Sequence, residues 1–316
     1  MKIIVTGSTG FIGSKFVEFL TNLGLEVLAL GRKDFNEISE SKKKKLSKAK
    51  YMNLNMRDIS LLPEKLEKFN WEVGDNCIFF NLAWGGKEKL SDMNIKHQLI
   101  NVSWCAEALK IANTLGCKSF IQVGTMEEAF TEKYLELDYK KNSQFNRHVV
   151  YSVAKLSAKY SLQLISSNLD INLIYVLHSH VMGPDDDKDS FLQVTLDKLI
   201  KGEELIFSSG KQYFDVISDK DCALGYYLIC KKGIPGSEYW VGSGNPQPLK
   251  IYIEKMYNLY PSGQTMQFDK LPYNDIILTP EDFSIKKLTE DTGFLPTMSY
   301  EETVKELFLS MVENRK

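Results

Sequence analysis

Val5-Thr6-Gly7-Ser8-Thr9-Gly10-Phe11-Ile12-Gly13 sets three glycines between an apolar run and an amphipathic one. Before it, Lys2 to Thr6 reads as a short buried strand. After it, Phe16, Val17, Phe19, Leu20 and Leu23 recur with helical spacing, and Gly24 is placed to end that helix. Strand, glycine turn and helix in this order predict a dinucleotide-binding crossover. Gly7 permits the tight turn, Gly10 the approach of a pyrophosphate, and Gly13 the packing of helix on sheet. Ser8, Thr9, Phe11 and Ile12 complete the expected cradle, where the helix start offers N–H groups to phosphate.

Working outward, Glu26 to Leu30 is a second strand, and Gly31-Arg32-Lys33 follows it. An acidic residue there would accept ribose hydroxyls and repel a 2′-phosphate; a small residue and a basic fork suit that phosphate. NADP is therefore expected, with NAD the alternative. Cys77 to Leu82, Ser119 to Val123 and Ile171 to Val176 read as further strands, separated by helical patterns that include Asn101 to Leu115 and Tyr151 to Asn168. The alternation predicts an α/β, Rossmann-type parallel sheet with helices on both faces.

After His178 the pattern loosens. Gly183, Pro184 and the acidic run Asp185 to Asp189 read as a loop, Phe191 to Ile200 as a helix. Tyr213 to Ile217 and Glu238 to Val241 read as strands around a helix from Asp221 to Cys230, and an amphipathic helix from Tyr300 to Val312 ends the chain. Residues 1–177 are expected to form the nucleotide domain, with about 212–245 returning to it. Residues 178–211 and 246–316 then make a smaller C-terminal substrate-binding lobe.

Composition narrows the function. A chain of 316 residues can bury a large core as one unit or two. A formal net charge of −2 gives no general reason to bind nucleic acid. The local basic run Lys42, Lys43, Lys44, Lys45, Lys48 and Lys50 reads as a solvated helix face or loop, with a phosphate-attracting rim the alternative. No apolar stretch is long enough for a membrane span, and Met1-Lys2 leads into a strand instead of a signal peptide. Cys77, Cys105, Cys117, Cys222 and Cys230 form no CxxC pair, which predicts free buried thiols in a reducing cytoplasm and no metal site.

Tyr151-Ser152-Val153-Ala154-Lys155 puts Tyr151 and Lys155 on one helix face. A neighbouring cation stabilises phenolate, which makes the tyrosine usable as an acid or base near neutrality. Taken together with Thr6 through Gly13, Asp58, Asn81-Leu82-Ala83, Asn101-Val102, Gly124-Thr125, Gly183-Pro184, Phe214 through Asp221 and Gly242-Ser243-Gly244, the chain resembles the extended short-chain dehydrogenase/reductases of the NAD-dependent epimerase/dehydratase family, which act on nucleotide sugars. The resemblance covers most of the length.

It implies that Tyr151 is the acid/base at a sugar oxygen and Thr125 a hydrogen-bond partner of the same oxygen. Lys155 would hold the nicotinamide ribose and depress the Tyr151 pKa. Asp58 would recognise adenine, Asn81, Leu82 and Ala83 would line the cofactor, and Asn101 would stand beside it. A homodimer is implied through helices near 95–115 and 151–167. Three positions depart from the pattern. Met126-Glu127 replaces the Asp-Glu pair of sugar dehydratases, so elimination of water lacks its placed donor. His180 replaces an asparagine, and Phe214, with Gln212 and Tyr213 beside it, replaces an arginine that grips diphosphate. Trp84, Glu127, His178, His180 and Gln212 remain as candidate substrate contacts, with packing the alternative for Trp84 and the histidines. The expected activity is NADPH-dependent reduction of a nucleotide-linked 4-keto-6-deoxy sugar. A 4-epimerase with retained NAD and a non-catalytic NADP-binding protein are the alternatives.

Overall fold

KIIVT, CIFFN and SFIQV are buried along almost their whole length, the signature of strands covered on both faces. A computed structural model describes residues 1–74, 76–86, 91–135, 148–186, 190–261, 263, 265–273 and 276–313. The first part of the chain runs β1 (Lys2–Thr6), α1 (Phe11–Asn22), β2 (Glu26–Gly31), α2 (Glu40–Leu46), β3 (Lys50–Asn53), α3 (Leu62–Phe69) and β4 (Cys77–Asn81). It continues as α4 (Ile95–Thr114), β5 (Ser119–Val123), α5 (Glu127–Leu135), α6 (Val149–Ser166) and β6 (Asn172–His178). The remainder is β7 (His180–Met182), α7 (Phe191–Lys201), β8 (Leu205–Ile206), β9 (Tyr213–Phe214), β10 (Val216–Ser218), α8 (Asp219–Lys232), β11 (Glu238–Val241), β12 (Gln247–Pro248), α9 (Leu249–Leu259), β13 (Met266–Gln267), α10 (Lys286–Thr292) and α11 (Tyr300–Glu313).

Seven strands form one sheet in the order β11-β6-β5-β4-β1-β2-β3, all parallel. Strand order reverses between β1 and β4, the point at whose carboxyl ends sheets of this kind bind their ligands. Alternate residues feed the two cores. Ile3, Val5 and Phe80 face α1 and α8, where Phe16 and Tyr226 pack against Phe80. Ile4, Leu28 and Phe79 face the side of α3, α4 and α6, with Phe79 stacked on Phe120 at 5.3 Å. A third core joins α7, α9 and α11 around Leu196, Met256 and Leu307.

The chain changes sheets at Ser179 and at Asp215. His178 ends β6 in the large sheet and His180 begins β7, which pairs with β10 in a separate two-stranded sheet. Between them, the Ser179 N–H donates to Val241 O at 2.9 Å and the His180 N–H to Asp215 O at 3.1 Å. The two histidines thus do not share one strand face. The predicted strand Tyr213 to Ile217 divides at Asp215 into β9, paired with β12, and β10. In the basic run, Lys45 is buried and ion-paired with Asp185, an arrangement no charge pattern announces. Asp187 and Asp189 of the predicted acidic loop lie outside the described residues. Within those residues, no helix is long and apolar enough to cross a membrane.

Candidate active site

Gly7 adopts φ +67°, and a Cβ there would stand 2.9 Å from the Ala83 nitrogen. A Cβ on Gly13 would lie 2.2 Å from the Gly7 carbonyl oxygen, so glycine lets the turn, the β4 loop and α1 meet. Gly10 caps α1 without a side-chain bond, and no acidic residue occupies the first turn around Phe11 and Ile12. The helix start therefore keeps N–H groups and a partial positive charge for an anion. Ser8 turns inward, its hydroxyl donating to Leu30 O at 2.9 Å. Thr9 lies against Gly31, and exposed Arg32 follows directly at the end of β2. Asp34 is bonded by Asn53, and Asp58 pairs with its neighbour Arg57 at 3.0 Å.

Behind the cradle runs a chain of buried hydrogen bonds. The Ala83 N–H donates to Thr6 Oγ1 at 3.1 Å, and that hydroxyl donates to Asn81 Oδ1. Asn81 Nδ2 donates to Gln122 Oε1 at 2.7 Å, and Gln122 Nε2 to Val123 O at 3.0 Å. Lys155 Nζ donates to the same carbonyl at 2.9 Å. Asn101 pins the loop after Leu82 and Ala83, accepting from Gly85 N–H at 2.6 Å. Trp84 is held by Gln98 at 2.8 Å, lies edge-on to Tyr151 at 6.0 Å and carries Lys155 Nζ 4.1 Å above its ring.

Thr125, Tyr151, Lys155 and Trp84 thus meet at the ends of β4 and β5, with the Thr125 side chain near enough to Tyr151 to favour its phenolate. The expected depression of the Tyr151 pKa does not occur. Burial raises it, the Thr125 side chain offsets part of that rise, and Glu128 and Glu127 add to it, so the phenol stays protonated. Lys155 lies 5.8 Å from the Tyr151 ring centroid, and burial lowers its own pKa to about 8. Of the adjacent glutamates, Glu127 pairs with His148 at 3.0 Å, whereas Glu128 reaches back to the Thr125 N–H at 2.9 Å.

The lobe side is built differently. His178 Nδ1 contacts Ser179 O at 2.9 Å. The His180 ring tilts against Phe214 at 5.4 Å, and burial, then His178, lowers its pKa to about 4, leaving it neutral near pH 7. His180 Nε2 and Gln212 Oε1 are buried with no hydrogen-bond partner among the described residues. Asp215 binds the Ser179 and Ser243 hydroxyls and the Ser243 N–H, and Trp240 Nε1 donates to Ser179 at 2.7 Å. This clasp, where the chain leaves the large sheet, was not foreseen; Asp215 inside an otherwise strand-like run was its one signal.

Known proteins share this fold. The chain is 24% identical to CDP-abequose synthase of Salmonella typhimurium over 96% of both chains. It is 26% identical to dTDP-6-deoxy-L-talose 4-dehydrogenase (NAD(+)) of Aggregatibacter actinomycetemcomitans, over 83% of this chain and 96% of that one. UDP-glucose 4-epimerase of Thermotoga maritima, solved with UDP-glucose, superposes with a TM-score of 0.77 at 19% identity over all of both chains. UDP-glucuronic acid 4-epimerase of Bacillus cereus, solved with NAD, gives 0.74 at 18% over the same coverage. The model of the NAD dependent epimerase/dehydratase family matches residues 3–242, and the chain belongs to that family.

Proposed function

We propose that the chain is an NADPH-dependent reductase of a nucleotide-linked 4-keto-6-deoxy sugar. The observation that carries this reading is the meeting of Tyr151, Thr125, Lys155 and Trp84 at the ends of β4 and β5, with Trp84 edge-on to Tyr151 and Lys155 over both rings, where burial holds the Tyr151 phenol protonated. Bound reduced cofactor supplies a hydride to the keto carbon. Oxygen then gains negative charge and needs a proton as the charge forms. Tyr151 donates it, and Thr125 orients the oxygen and shares the charge. Lys155, as an ammonium, offsets the phenolate left behind and holds the ribose.

The talose-nucleotide relative is named for redox chemistry at position 4 of a 6-deoxy sugar, which supports this substrate class, although its name carries NAD(+). The ground for NADP is Gly31-Arg32, where an acidic residue would repel a 2′-phosphate. Trp84, Glu127, His178, His180 and Gln212 are assigned to the sugar and diphosphate side. Homodimerisation is assigned to packed α4 and α6, whose surfaces expose Leu99, Val153, Tyr160 and Leu164.

The test follows NADPH absorbance while mass spectrometry reads the sugar nucleotide. Stoichiometric consumption with a gain of about two mass units supports reduction, since one hydride and one proton are added. A product of unchanged mass without consumption establishes the epimerase instead. Run beside it with NADH, and with Arg32→Asp, the same assay shows whether Arg32 sets a preference for NADPH.

A further inference from the structure

Glu128 has no part in the steps above, yet its carboxylate is enclosed beside them. The residue is 1% exposed. Oε1 accepts the Thr125 N–H at 2.9 Å, and the Tyr175 hydroxyl on β6 stands 3.1 and 3.2 Å from the two carboxylate oxygens. That hydroxyl is also 3.4 Å from the Lys155 carbonyl. A Cβ on Gly124 would fall 2.4 Å from Glu128 Oε1 and 2.6 Å from the Tyr175 ring, so the chain before Thr125 is shaped around this carboxylate.

A buried carboxylate costs several kcal/mol unless charge and hydrogen bonds compensate it. Helix α6 faces it with Lys155, Lys159 and Tyr151; Cys105 on α4 faces Lys155, and Glu127 on α5 faces Tyr151. Lys159 is committed to Glu238 at 2.6 Å. Lys155 donates to the uncharged Val123 carbonyl; Cys105 and then Glu128 raise its pKa, and because burial pushes the Cys105 thiol up to about 11, Glu128 is the one of the two that is charged near pH 8.

Resting on the proposed reaction centre, we propose that Glu128 is its positioning residue, fixing the Thr125 main chain and supplying the negative charge that keeps Lys155 an ammonium over Trp84. Burial pushes Glu128 up to about 7 and Lys155 down to about 8, while each charge favours the other. Removing the Glu128 charge removes an influence that raises both Lys155 and Tyr151. Both groups then lose protons at lower pH, and proton donation fails earlier on the alkaline side.

Glu128→Gln keeps the shape and an acceptor for Thr125 while removing the charge. The readout independent of substrate is tryptophan fluorescence against pH, with Trp84→Phe subtracted to isolate the indole under Lys155. The unaltered chain should show a transition near pH 8, which Lys155→Met abolishes. Glu128→Gln should lower that midpoint by roughly one pH unit, and the alkaline limb of kcat should move with it while cofactor Kd below the transition changes little. Tyr175→Phe, which keeps the carboxylate but removes its hydroxyl partner, should lower the midpoint by less, and it decides the matter if Glu128→Gln fails to fold. Unmoved midpoints overturn the proposal even when Tyr151→Phe is inactive. Full turnover by Tyr151→Phe overturns the reaction reading and leaves the fluorescence result to judge Glu128 and Lys155.

Discussion

At the glycine-turn end of the site, buried polar atoms close on one another in a line from Ala83 through Thr6, Asn81 and Gln122 to the carbonyl that holds Lys155. At the lobe end, His180 Nε2 and Gln212 Oε1 are just as enclosed but have no partner among the described residues. The same desolvation cost acts at both ends, and along that line hydrogen bonds within the protein offset it, although Gln98 Nε2 beside Trp84 has no partner among the described residues. The difference separates a part finished on folding from a part whose polar groups suit hydrogen bonding to a ligand. A cofactor cradle serves one invariant molecule and can be rigid, whereas a lobe that selects a particular sugar keeps its specific polar groups for that sugar.

Tyr151→Phe gives the largest expected effect. The substitution removes one hydroxyl from the finished end, where Thr125 and the surrounding network stay in place. Turnover of the keto-sugar nucleotide should fall by roughly two to four powers of ten, with NADPH affinity retained in a fluorescence titration. Loss of cofactor affinity in parallel would show that the phenol props up the cradle and would erase the distinction between proton donor and scaffold.

The finished end was also the more legible one. Gly7 to Gly13 and the Tyr151–Lys155 pair announce themselves because backbone approach and helix spacing tie chemistry to sequence distance, whereas Asn81 is legible only through the family resemblance. Gln122 is the one amide in the buried strand SFIQV, but its partner stands on a neighbouring strand that sequence does not register. The adjacent glutamates show a second limit. Glu127 drew attention by its place after Thr125 and Met126, yet successive helical residues point about 100° apart. Helix phase gives the Thr125 amide to Glu128 and leaves Glu127 with His148. At the lobe, His178 and His180 stand two apart, a spacing that fits one strand face, and the change of sheet at Ser179 that separates them leaves no mark in composition.

An intermediate effect is expected from Gln122→Leu. Its amide is the middle link, and its loss strips Asn81 Nδ2 of a 2.7 Å acceptor, leaving the 3.4 Å contact to Cys105. One donor on the Val123 carbonyl also disappears. Chemical denaturation should show a loss of roughly 1 to 3 kcal/mol, the cost of buried groups left without partners. A chain as stable as the original would mean that the line of hydrogen bonds contributes nothing net, and the contrast between the two ends would lose its energetic basis.

The smallest effect on the folded protein should come from the same exchange at the other end, Gln212→Leu. Here the side-chain oxygen is already without a hydrogen-bond partner among the described residues, so leucine removes a desolvated acceptor and strands nothing. Stability should stay within about 0.5 kcal/mol of the original or rise slightly. NADPH affinity should not move, because the cradle residues Gly7 to Gly13 and Arg32 belong to the opposite part of the site. If Gln212 meets the sugar nucleotide, KM should rise several-fold while kcat changes less, since a contact made equally before and during reaction contributes to binding alone. Two measurements on one variant therefore separate the possibilities: a large loss of stability would make Gln212 part of the scaffold, and an unchanged KM would remove it from the substrate site.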